Sequence, residues 1–177
     1  MKRKINVWDY AGQILDATGK GVLLTTKADG IVDTMTIGWG TLGIEWGKPL
    51  CTVFVRVSRY TKSLLDKNPE FTVNVPLGDY DKNIISVCGT KSGRDMDKIK
   101  ELGLTLEDPE VISVPGIRQL PLTLECKVIY RQDQDPAAIN QENTDRYYPK
   151  NEQFPEGDYH TAYYGQILAA YIIEPDA

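Results

Sequence analysis

Strict alternation of apolar and polar residues dominates the middle of this chain. From Leu50 to Val57, Cys51, Val53, Val55 and Val57 fall on one side and Thr52, Phe54 and Arg56 on the other, the period of a strand with one face buried. The rhythm returns in Phe71, Val73 and Val75 against Thr72 and Asn74, and again over Ile117 to Arg131, where Leu120, Leu122, Leu124, Cys126, Val128 and Tyr130 face Thr123, Glu125, Lys127 and Ile129. Pro121 inside that run predicts an edge position or a bulge. Val22 to Lys27 and Ile31 to Trp39 read as two strands joined by Ala28-Asp29-Gly30, whose Asp-Gly pair favours a tight reversal. His160 to Ile173 reads as a long closing strand with Gly165 in its middle. Many strands, few helices and no βαβ rhythm predict a mainly β fold, an antiparallel barrel closed on itself with helical decoration.

The decoration is sparse. Residues 1–21 form a leading segment, with a helix expected over Asp9 to Thr18 and an exit at Gly19 and Gly21. Ser58 can cap a helix over Arg59 to Asp66, which Asn68-Pro69 stops. Leu77 to Gly116 is less regular, with a helix over Met96 to Leu102 ended by Gly103. Residues 133–158 are rich in Asp, Gln, Asn, Pro and Tyr. They are too long for an ordinary connection and predict a surface excursion, with helix near Pro136 to Asn140, that serves as a lid or a dimer arm.

At 177 residues, one domain spanning 1–177 is expected. Lys and Arg number 20 against 25 Asp and Glu, a net charge of −5, which opposes long-range attraction to nucleic acid or an anionic membrane. Any anion site must therefore be local. Cys51, Cys88 and Cys126 are odd in number, widely spaced and accompanied by a single histidine, His160, so neither a metal site nor a disulfide framework is expected. Asp9 and Gly12 interrupt the opening as a secretory signal. Ile167 to Ile173 is far short of the ~20 residues of a membrane helix. A soluble, cytoplasmic protein with reduced thiols is the expectation.

Chemistry concentrates at Arg56-Val57-Ser58-Arg59-Tyr60-Thr61. Two guanidinium groups, two hydroxyls and a helix start meet there at one strand-to-helix turn, which suits a phosphate ester. The same residues also fit a strand-end arginine beside an ordinary helix cap, and residue types alone do not separate the two. In Thr36 to Trp39, Gly38 either lets a ligand approach the main chain or marks a bulge, and Trp39 suits a core or an interface as well as a ligand. Cys88 to Gly93 is a small-residue loop carrying Lys91, without the spacing of a phosphate-binding P-loop. The glycines at 40, 43 and 47 form no dinucleotide fingerprint after a parallel strand. No Ser/His/Asp set is present, and His160 is either structural or a proton-transfer group.

Taken in order, Met35-Thr36-Ile37-Gly38-Trp39, Lys48-Pro49, Arg56 to Thr61, Phe71 to Pro76, Cys88-Gly89 to Ser92-Gly93, Asp97-Lys98 and His160-Thr161 resemble the flavin reductase-like, FMN-binding split-barrel family, flavoredoxin included. The likeness runs from about Val22 to Ile173. It implies a split barrel, a homodimer and FMN near the subunit interface. It also implies hydride transfer from NADH or NADPH to flavin, or alternatively an FMN electron carrier serving a redox partner protein. On this resemblance Arg56, Ser58, Arg59 and Thr61 form the phosphate cradle, and Thr36, Ile37, Gly38 and Trp39 run along the isoalloxazine. Cys88, Gly89, Ser92 and Lys98 lie near the cofactor, and His160 is the candidate for catalysis. The chain departs from the family at Asp33, where Asn is common, and at Gln166, where an acidic residue is common. A poor inventory of acids and bases is expected of such a protein, because hydride chemistry belongs to the flavin.

Overall fold

The computed structural model describes residues 1–175. The chain opens with β1 (Lys2–Lys4), a 3₁₀ turn over Val7–Tyr10 and α1 (Ala11–Lys20). The expected leading helix thus begins two residues later, and it ends at Gly21, whose φ of 117° favours glycine. β2 (Val22–Ala28) and β3 (Ile31–Ile37) form the predicted hairpin. Its reversal is Asp29-Gly30, with φ of 52° and 78°, the positive pair that matches strand twist. β3 stops at Ile37 rather than Trp39, and a separate β4 (Gly40–Glu45) pairs with β5 (Lys48–Arg56). The turn between them is Trp46-Gly47, again with both φ positive.

After β5 come α2 (Tyr60–Leu65), β6 (Glu70–Val75), α3 (Lys82–Thr90) and α4 (Lys98–Glu101). Ser58 does not cap α2: the N-cap position is Arg59, and Ser58 is engaged elsewhere. α3 falls in the region expected to be irregular, and it contains Cys88, Gly89 and Thr90, so the first half of the expected Cys88 to Gly93 loop is the last turn of a helix, while Lys91 to Gly93 lie outside it. Asp81 caps it by accepting from the Asn83 amide at 2.9 Å, and Ile84 and Cys88, four apart, bury its inner face.

β7 (Leu106–Glu107) and β8 (Gly116–Ile117) form a small separate pair. β9 (Leu122–Asp133) follows, then a 3₁₀ turn over Pro136–Ala138, α5 (Gln141–Tyr147) and β10 (His160–Ile173). The alternating run that includes Pro121 is therefore two strands, broken over residues 118–121. β9 is a central strand, lying between β6 and β10, so the edge assignment is corrected. Pro121 stands just before the ladder, where a missing N–H does no harm.

The main sheet runs β3-β2-β6-β9-β10-β5-β4 and is antiparallel at every pairing; its two ends do not join. The expected closure is thus absent, and the sheet has the form of a split barrel. β10 explains the split. One edge pairs with β9 over most of its length, while the other pairs with β5 from His160 to Gln166 and with β1 from Tyr171 to Ile173. Irregular register at Tyr164/Gly165 and Ile167/Ala169 bends the strand from one partner to the next. Phe71, Val73, Val53, Val55, Leu122, Leu124 and Tyr163 fill the interior, and a second cluster packs Leu23 of β2 against Ile84 and Cys88 of α3. β2 is therefore buried on both faces, and α3 is held against β2 and β3.

Candidate functional site

Two cavities adjoin where β5 gives way to α2. The larger, of about 390 Å³, is walled by Ser58, Arg59, Thr61, Cys88, Gly89, Ser92 and Lys98, together with Asp33, Lys91, Arg94, Phe154 and Asp158. The smaller, of about 170 Å³, is lined by Thr36, Ile37, Gly38, Trp39, Arg56 and His160, with Phe54. Met35 and Arg59 line both. The fold thus gathers every residue singled out in the sequence around one composite hollow, yet their states differ.

Arg59 is exposed, and its guanidinium makes no hydrogen bond or ion pair among the described residues. Arg56 is committed: it donates to the carbonyl oxygens of Asp158 at 2.7 Å and Tyr147 at 3.0 Å, and lies over the Tyr148 ring. Ser58 is held by Asp158, whose carboxylate accepts from the Ser58 amide at 3.1 Å and from its hydroxyl at 2.7 Å. Thr61 is buried and donates to Asp33 at 2.7 Å. α2 has six residues, so it carries little of the macrodipole invoked from the sequence.

Lys98 lines the larger cavity but is paired. Its ammonium lies 3.0 Å from Asp33 with both side chains almost wholly enclosed, so its charge is balanced within the fold rather than offered to a ligand. Asp33, one of the two departures from the family pattern, is therefore the counter-ion of Lys98. Gly93 packs against this pair, and any side chain there would collide with the Asp33 carboxylate and, at 2.7 Å, the Tyr60 ring. Burial pushes the Cys88 thiol up to about 11 despite the nearby Lys98, so at neutral pH it is a protonated wall residue and not a nucleophile.

His160 is 6% exposed. Burial lowers its pKa to about 4, helped by the charge of Arg56. It is therefore a neutral imidazole at pH 7, with Nδ1 2.9 Å from the Tyr148 hydroxyl and its ring tilted on Trp39 at 5.0 Å between centroids. Tyr147 also meets Trp39, edge-on at 5.1 Å. Residues 133–158, expected as a lid or a dimer arm, fold back on the end of β5 through Tyr147, Tyr148 and Asp158.

A family model for the "Flavin reductase like domain" matches residues 17–177. The chain belongs to the flavin reductase-like family. Among solved structures, the FMN-binding domain of a flavin reductase-like enzyme from Shewanella baltica is similar with a TM-score of 0.68 at 17% identity, over 97% of this chain and 77% of that one. Flavoredoxin from Methanosarcina acetivorans is similar with a TM-score of 0.64 at 25% identity, over 87% of this chain and 68% of that one. An uncharacterized protein of Archaeoglobus fulgidus is 34% identical over 97 residues, 55% of this chain and 54% of that protein. The match spans about half the length of such relatives. No helix among the described residues is long and apolar enough to cross a membrane.

Within this flavin reductase-like fold, sequence reasoning gave no site role to Met35, Lys91, Arg94, Tyr147 or Asp158. Lys91 and Arg94 carried a signal, two cations around Ser92-Gly93. Asp158 carried a subtler one: β10 pairs antiparallel with β5 so that His160 stands opposite Arg56, which brings the residues before β10 to those after β5.

Proposed function

We propose that this flavin reductase-like protein binds FMN and accepts hydride onto it from NADH or NADPH, the whole chain acting as one flavin-binding unit. The observation that carries this reading is Arg59, an uncommitted cation shared by a polar, cation-rimmed cavity and a narrower one lined by Thr36 to Trp39. That juxtaposition suits a ligand with an anionic tail and a flat polar ring. The residues fit such a group. Gly38 is exposed, and the nearest atom a side chain there would meet is the Thr18 carbonyl oxygen at 3.9 Å, leaving its backbone approachable.

Arg59, Lys91 and Ser92 would hold the phosphate, and the amides and carbonyls of Thr36 to Trp39 would orient the ring. Trp39 and His160 would shield it. Thr36 contributes by position, since its hydroxyl donates to the Ile85 carbonyl at 2.6 Å and anchors β3 to α3. When bound, FMN supplies the two-electron redox chemistry. The protein then needs no strong acid or base, which agrees with a neutral His160 and a protonated Cys88.

A second reading, an FMN electron carrier serving a redox partner protein, is favoured by the likeness to flavoredoxin at 25% identity. Purified protein titrated with FMN is expected to quench flavin fluorescence, and with FMN added it is expected to oxidise NADH or NADPH. Tight FMN with negligible nicotinamide turnover selects the carrier, and absence of both overturns the flavin reading. We also propose a homodimer, supported by the exposed Ile44 and Trp46 on the β4 hairpin.

A further inference from the structure

The carboxylate of Asp158 sits in the larger cavity as an anion, with no ion pair of its own among the described residues, and takes both donors of Ser58. The same residue's carbonyl, with that of Tyr147, takes the Arg56 guanidinium. The Ser58 donors line the larger cavity beside Arg59, where a phosphate held by Arg59, Lys91 and Ser92 would otherwise use them. We propose that Asp158 is an internal stand-in for the ligand's phosphate, and that it sets how strongly this site prefers a phosphorylated flavin over an unphosphorylated one.

Two anions do not share one amide and one hydroxyl without repulsion, and the loss of a charged hydrogen bond must be made good by the newcomer. A flavin with a phosphate tail therefore binds against Asp158, gaining Ser58 only as the carboxylate leaves. Riboflavin, which has no anionic tail, has no such contest. Because Asp158 closes the excursion of residues 133–158, its departure also loosens the carbonyls that hold Arg56. Phosphate entry and release of that segment are then one event, and Arg59, which is free beforehand, makes the first contact.

The inference rests on the proposed flavin binding, and its test separates the two. Dissociation constants for FMN and riboflavin are measured by fluorescence quenching on wild-type, Asp158→Ala and Asp158→Asn protein, with thermal melting as a check on folding. Asp158→Ala is expected to tighten FMN by roughly tenfold, the scale of one charged hydrogen bond returned to the ligand, and to leave riboflavin within about twofold. Asp158→Asn removes the charge but keeps an oxygen for the Ser58 donors, so it folds even if the Ala variant does not, and it is expected to shift FMN in the same direction by less. Weaker FMN binding in a folded variant would mean that Asp158 merely positions Ser58, and equal changes for the two flavins would mean that charge is not what is sensed. Either result overturns the assignment while leaving flavin binding intact. If wild-type protein binds neither flavin, the proposed function falls and this inference with it.

Discussion

Arg56 and Arg59 stand three positions apart and differ in everything but charge. Arg59 touches nothing that would miss it, so Arg59→Ala is expected to weaken FMN by about 1.5–3 kcal/mol without moving the urea midpoint. Arg56→Ala strips the donor from two carbonyls, Asp158 and Tyr147. It is expected to lower stability by about 1–3 kcal/mol as well as disturb the site. Chemical denaturation of the two variants side by side distinguishes a ligand-facing charge from a structural one, and the reverse pattern would exchange their roles. His160 makes a prediction of a different kind. Burial lowers its pKa from 6.5 to about 4, so between these values the unfolded chain takes up a proton that the folded protein refuses. Its contribution is fully present above pH 6.5 and is lost as pH falls through that window. Urea midpoints at pH 7.5 and 4.5 should fall further for wild type than for His160→Gln, and an equal fall would show that His160 does not titrate in this way.

At the scale of elements, β10 depends on one missing side chain. A Cβ at Gly165 would run into the Phe71 ring and come within 2.9 Å of Cys126, both wholly buried. Gly165→Ala is expected to destabilise by about 1–3 kcal/mol through overpacking, read as a lowered melting temperature; no change would mean that the strand can shift at its bulge. Gly165 was legible as a glycine in mid-strand, and β5 and β6 were legible through residues that alternate with period two, whereas β2 and β10 stood out as strand-like apolar runs. α3 was not legible. Ile84, Ile85 and Val87 lean toward strand by propensity, and helix wins there through burial against β2, which only tertiary structure reveals. β4 was hidden too, since Gly40, Thr41 and Gly43 show no apolar alternation and the hairpin rests on Trp46-Gly47. The residues singled out at the β5 to α2 turn do line the two adjoining cavities, but their bonds were not legible. Nothing in Arg56, Ser58 and Lys98 taken alone tells that Asp158 and Asp33, distant in sequence, are their partners.

Across the whole molecule, apolar surface is uneven. Ile44 is 72% and Trp46 61% exposed at the tip of the β4 hairpin, with the half-exposed Tyr130 beside Trp46, on the unpaired end of the sheet. Such a patch costs solubility unless it is covered. Sedimentation at micromolar concentration is expected to give a dimer, and Ile44→Glu with Trp46→Glu a monomer; a monomeric wild type would remove the proposed interface. The division of β10 between two neighbours carries a consequence for motion. Along the edge that serves β5 and then β1, main-chain pairing lapses between Gln166 and the Ala170 carbonyl, which bonds Ile5. Deuterium should therefore enter at Leu168 sooner than at Tyr163 or Ile172. The seam of the barrel is then its breathing point, and the two halves of one strand would keep separate clocks.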